Sequence, residues 1–174
     1  MGTGVKNKKI DLSCIRSDGF ALYKDGKIWT EAFCRALNEY TEIYIPAGKY
    51  YIDRSLIVPS DTRILADEHA EIILIKGAKT LLLRNENVID GSYRRIPADA
   101  PCDENISICG GVWGEENEER LGDGVSGCFD ENDSYHGVST CFLFSGVRGL
   151  TMKNIVFRSA AGFACQIGRV SDFD

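Results

Sequence analysis

The chemistry open to this chain depends on which reactive side chains it holds and at what spacing. Its densest run of oxygen donors is Asp130-Glu131-Asn132-Asp133-Ser134. Oxygens at positions 1, 3 and 5 imitate the start of an EF-hand calcium loop, which needs a glycine at position 6 and a bidentate glutamate at position 12. Tyr135 and Cys141 stand at those two places. The run therefore reads as a solvated acidic loop, and no metal site is expected. The two histidines, His69 among Asp67, Glu68 and Glu71, and His136 within the acidic loop, are too far apart to suggest zinc. His69 reads as a surface residue. No serine stands in a Gly-x-Ser-x-Gly elbow, and Gly2-x-Gly4 opens no phosphate-binding helix, so acyl transfer and nucleotide binding lack their residues. No cofactor is expected.

Seven cysteines (Cys14, Cys34, Cys102, Cys109, Cys128, Cys141 and Cys165) include no C-x-x-C pair, and the odd number leaves at least one without an intrachain partner. They are expected to be small buried apolar thiols. Asn105-Ile106-Ser107 and Asn132-Asp133-Ser134 match the glycosylation tripeptide, which chance supplies often.

The elements that must carry any site are constrained by composition. A net charge of -6 works against nucleic acid or an anionic membrane as partner, because both are gripped mainly by lysine and arginine. No signal peptide or apolar run of spanning length is seen, and localisation stays open. With 44% hydrophobic residues in 174, one domain over 1–174 can build a core. Eighteen glycines against four prolines suggest short ordered pieces joined by tight turns.

One amphipathic helix is expected over 29–40, with Trp29, Phe33, Ala36, Leu37 and Tyr40 on one stripe and Thr30 as N-cap. Ile43-Tyr44-Ile45 then switches the period to two. Strand candidates follow at Lys49–Ile52, Ser55–Val58, Arg63–Ala66, Glu71–Ile75, Thr80–Leu83, Asn105–Cys109, Cys141–Phe144, Leu150–Lys153, Ile155–Phe157 and Ala164–Ile167. Helical stripes do not accompany them, so helical crossovers are excluded and turns must join the strands. Segments 86–104 and 114–138 interrupt the pattern and read as loop insertions, the second acidic and exposed.

Internal repetition selects the architecture. Leu143 to Leu150 aligns with Gln166 to Phe173 at an offset of 23, and Ile106 to Trp113 aligns with Leu150 to Phe157 at an offset of 44. Repeats of this kind specify a solenoid: one repeat cannot bury its inward side chains, but rungs stacked about 4.8 Å apart form continuous apolar ladders. An all-β solenoid capped by the N-terminal helix follows. Parallel pairing should place Phe144 on Ile167 and Ile108 on Met152. The helix covers one end; at the other, Ala164 to Ile167 would leave an open edge through which the chain could self-associate.

Ile43-Tyr44-Ile45-Pro46-Ala47-Gly48-Lys49-Tyr50 after a capping helix resembles the opening of pectin lyase-like β-helices. More narrowly, Asn105 to Gly114, Phe142-Leu143-Phe144 and Gly149 to Ser159 resemble the polygalacturonases, glycoside hydrolase family 28. The resemblance implies a right-handed single-stranded parallel β-helix and a polysaccharide partner. It also implies inverting hydrolysis of pectin-type polymer by two carboxyl groups about 6.5–9.5 Å apart. The family's Asn-x-Asp, Asp-Asp, Gly-His-Gly and Arg-x-Lys motifs are not found here, so no catalytic residue is assigned. By the family's rung alignment, Phe163 and Gln166 would border the floor of the sugar cleft. The alternative is a non-catalytic carbohydrate-binding or tailspike-like structural β-helix, or a lyase or epimerase on the same fold. Trp113, aligned with Phe157, is expected in the core rather than stacked on sugar.

Overall fold

In the computed structural model, which describes residues 8–15, 20–78, 80–88, 102–116, 140–160 and 162–174, the alternating segments form strands that pair in parallel one repeat apart. The chain runs through β1 (Lys9–Asp11), a 3-10 turn, the hairpin β2 (Leu22–Tyr23) and β3 (Gly26–Lys27), and the helix α1 (Thr30–Glu39). It continues as β4 (Glu42–Ile45), β5 (Gly48–Ile52), β6 (Leu56–Val58), β7 (Arg63–Ala66), β8 (Ala70–Leu74) and β9 (Leu83–Asn85). The last elements are β10 (Asp103–Cys109), β11 (Val112–Glu115), β12 (Thr140–Lys153), β13 (Val156–Arg158) and β14 (Phe163–Phe173).

These strands form three parallel stacks, visited in the same order by each repeat. The first holds β1, β4, β7, β10 and the second half of β12. The second holds β6, β9 and the first half of β12, and the third β5, β8, β11 and β13. β12 thus belongs to two stacks, and β14 runs beside it from Thr140↔Phe163 to Leu150↔Phe173. Phe144 lies on Ile167 and Ile108 on Met152, both parallel, as the repeat offsets require.

Inward ladders make the core. Ile43, Ile64 and Ile108 stack in one stack, Tyr50, Ile72 and Trp113 in another, and Leu56, Leu83 and Phe142 in the third, all at most 5% exposed. Each such side chain contributes about 1.5–3 kcal/mol by leaving water. The Phe142 ring joins the ladders, 5.1 Å from Trp113 and 4.9 Å from Phe157 in edge-on contacts. α1 buries Ala32, Phe33, Ala36 and Leu37 and packs against β6, the outermost strand of the second stack.

Corners repeat as well. Asp61, Asn105, Gly149 and Asp172 all have φ between 54° and 75° and follow one another at spacings of 44, 44 and 23 residues. Left-handed backbone is costly for most residues and cheapest for Gly, Asn and Asp, so one corner is built once per repeat from tolerant types. A buried polar cluster braces another corner. Asn85 donates to the Asp103 carboxylate (2.6 Å) and the Ser145 carbonyl (2.8 Å), and its own Oδ1 accepts from the Ser145 N–H (2.9 Å). Asp103 also accepts from the Asn87 N–H at 2.8 Å.

Several expectations need correction. α1 begins at Thr30, with Trp29 at the N-cap and no side-chain cap; the Thr30 hydroxyl instead accepts from the Asp53 N–H at 2.9 Å. The candidates Cys141–Phe144 and Leu150–Lys153 are one bent strand, and the strand expected at Thr80–Leu83 lies at Leu83–Asn85. Of the loop assigned to 86–104, Asp103 and Glu104 belong to β10, because Asp103 is the acceptor that closes the corner. Of the loop assigned to 114–138, Gly114 and Glu115 belong to β11, with Glu115 only 2% exposed; 117–138, including the acidic run and His136, lie outside the described residues. The thiols are not uniformly buried. Cys141 is, Cys14 and Cys102 are exposed, and Cys34, Cys109 and Cys165 are intermediate; among the described residues no disulfide joins them. The Asn105 amide donates to Asp61 at 2.8 Å and serves the corner.

Candidate functional site

Outward-facing residues of the third stack line a hollow. Tyr51, Ile73, Gly114 and Arg158 stand in register across β5, β8, β11 and β13. At Gly114 the row has no side chain. A Cβ there would lie 2.2 Å from the Arg158 carbonyl oxygen, so only glycine lets β13 approach this closely. The result is a hollow of about 160 Å3, lined by Glu71, Ile73, Val112, Gly114, Glu115, Glu116, Arg158 and Ser159. That is below the roughly 300–1,000 Å3 of drug-sized sites, so it has room for one small unit only.

Its floor is aliphatic and its walls are charged. Arg158 Nη1 lies 3.2 Å from Glu71 Oε1, both side chains partly in water, so the pair adds little stability. Glu116 is clasped from outside by the N-terminal hairpin: Tyr23 donates its hydroxyl at 2.7 Å and Lys24 approaches at 2.8 Å. Burial opposes ionisation of Glu116, but the hydrogen bonds from Lys24 and Tyr23 outweigh it and hold its carboxyl below the usual range.

The hairpin also covers Tyr51, which faces outward yet is 2% exposed. Gly26 permits this, since a Cβ there would meet the Tyr51 ring at 2.8 Å. The Tyr23 and Tyr51 rings meet edge-on at 5.0 Å. Tyr51 donates to Asp25 at 2.6 Å, and this hydrogen bond, with burial, pushes its phenol from 10.0 up to about 12. A raised pKa means stabilisation that is complete below pH 10 and lost as pH rises through about 12. In a tyrosinate absorbance titration, Asp25→Asn is expected to bring one late-titrating phenol back toward the ordinary range; an unchanged curve would remove Asp25 as the cause.

The residues expected to border a sugar cleft lie elsewhere. Phe163 and Gln166 are both on β14, beside β12 rather than on the stack that carries the hollow. Phe163 is 61% exposed, and Gln166 is half-buried with its Oε1 enclosed and without a hydrogen-bond partner. Three positions apart on one strand, they point to opposite faces. His69 is exposed, as expected, with Nδ1 3.3 Å from Asp67. Among the described residues no group of three metal-ligating side chains converges. The sequence did carry a signal for the hairpin, which was missed: Asp25-Gly26 is a turn-favouring dipeptide, and the chain turns at Lys24-Asp25 with Gly26 paired to Tyr23. The hollow had no comparable signal, because Glu71, Gly114 and Arg158 meet only through the register.

No protein-family model matches the chain, and no curated protein matches it. Among solved structures it is similar to the crystal structure of PfbA, a surface adhesin of Streptococcus pneumoniae, with a TM-score of 0.56 and 15% identity. The match covers 94% of this chain and 38% of that one, so the chain spans little more than a third of the neighbour's length. At this identity the likeness shows fold alone, a parallel β-helix-like arrangement. The narrower resemblance to polygalacturonases finds no support in these comparisons.

Proposed function

We propose that the chain is part of a right-handed single-stranded parallel β-helix that binds glycan without cutting it, and that the hollow over the third stack holds one sugar ring. The observation that carries this is the hollow itself, in which an aliphatic floor at Ile73 and Val112 lies among carboxyl groups and a guanidinium. Sugars offer the complementary pattern: an apolar C–H face for the floor, and hydroxyls that donate to carboxylates and accept from arginine. The similarity to a surface adhesin agrees with a binding rather than a catalytic role.

Hydrolysis at this hollow is disfavoured by charge. A general acid needs a raised carboxyl pKa, whereas the hydrogen bonds from Lys24 and Tyr23 hold the Glu116 carboxyl low. Affinity electrophoresis through gels containing different polysaccharides tests the proposal. Arg158→Ala removes a charged donor worth about 1.5–3 kcal/mol and is expected to weaken retardation about tenfold or more. Its side chain is 61% exposed, so folding should survive. If no polysaccharide retards the native chain, or the variant is retarded equally, glycan binding at this hollow is refuted. Release of reducing ends by the native chain, lost in a Glu71→Gln, Glu116→Gln variant, would restore the hydrolase reading.

A further inference from the structure

We infer that the sugar taken by this hollow carries no acid group; the inference rests on the glycan-binding reading above. Two carboxyl groups, those of Glu71 and Glu116, stand at the hollow against one guanidinium, that of Arg158. That guanidinium is already engaged, 3.2 Å from Glu71. Two lysines of the covering hairpin region are engaged too: Lys24 lies 2.8 Å from Glu116, and Lys49 is 3.2 Å from Asp25. Arg158, Lys24 and Lys49 thus each already have an anionic partner.

A uronate or sulfate entering here would have to displace Glu71 from Arg158 and sit against the carboxylate it displaced. Like charges in a partly desolvated cleft repel, and the chain's net charge of -6 adds a long-range field of the same sign. A hydroxyl-rich neutral ring meets no such barrier. It can donate to Glu71 and Glu116 and accept from Arg158 without separating either ion pair. This selectivity is opposite to that of the polyuronate substrate implied by the resemblance to polygalacturonases.

Matched polysaccharides test it. Retardation is measured in gels containing galactan or polygalacturonate, and dextran or dextran sulfate, at low and high salt. Any pair that binds is expected to show the neutral polymer favoured about tenfold or more at low salt, with the gap narrowing as salt screens the repulsion. Glu71→Gln removes one carboxylate and releases Arg158, so it should narrow the gap further by improving retention on the acidic polymer. Equal or stronger binding of the acidic polymers by the native chain would overturn the inference while leaving glycan binding intact. Failure of every polymer, neutral and acidic, would overturn glycan binding itself.

Discussion

Trp113→Ala is expected to cost about 3–5 kcal/mol, the range for truncating a large aromatic in a packed core. The indole is fully buried. It lies between Ile72 on one neighbouring rung and Phe157 on the other, with its ring 5.1 Å from that of Phe142. Its Nε1 donates to the Gly110 carbonyl at 3.0 Å, so truncation also removes the brace of the turn that joins β10 to β11. Since each rung of a stacked array contacts only its neighbours, the loss should be local first. Amide exchange should accelerate in β8, β11 and β13 before it does in β4 or β6. Urea unfolding with exchange mass spectrometry would measure both effects. A cost under about 1 kcal/mol would mean that Trp113 does not join the ladders. Trp113→Phe, which keeps an aromatic but not the donor, should recover most of the loss.

Gly110→Ala is expected to be comparably damaging, for a backbone reason. Gly110 has φ +80°, and a Cβ there would lie 2.0 Å from the carbonyl oxygen of Ala66, an overlap that no rotamer can relieve. The left-handed penalty of about 1–2 kcal/mol adds to an overpacking cost of about 1–3 kcal/mol, since the neighbouring rung must move. Gly77 is the matched control. Its φ is +82°, but a Cβ would meet nothing within 4 Å, so Gly77→Ala should cost only the backbone share. Denaturant midpoints for the two variants compare directly. Equal destabilisation would show that rung contact at Gly110 adds nothing to its conformational cost.

The repeat was legible in the order of residues alone. Offsets of 23 and 44 residues placed Phe144 on Ile167, Ile108 on Met152 and Trp113 on Phe157, and the strands pair in those registers. This was legible because stacked rungs put like residues on like, so burial writes itself as self-similarity along the chain. The corner residues Asp61, Asn105, Gly149 and Asp172 repeat for the same reason, since each must tolerate the same left-handed backbone. The apolar stripe of α1 was equally plain, from its period.

What the sequence could not give was which outward residues share a place. Glu115 and Glu116 read as part of an acidic loop because charge is a good guide to exposure on average. The structure puts Glu115 inside β11 and Glu116 under the Tyr23–Lys24 hairpin, 93 residues away from Tyr23 in sequence. Asp103 was assigned to a loop because it follows the turn dipeptide Asp90-Gly91 and the prolines at 97 and 101, and it is the acceptor at the centre of a buried corner. Outward positions carry no repeat, because solvent makes no demand that they resemble their neighbours. Their meeting is decided by register, by a hairpin folded across the stack, and by the missing side chain at Gly114. The hollow is a property of three rungs packed together, and no one segment encodes it.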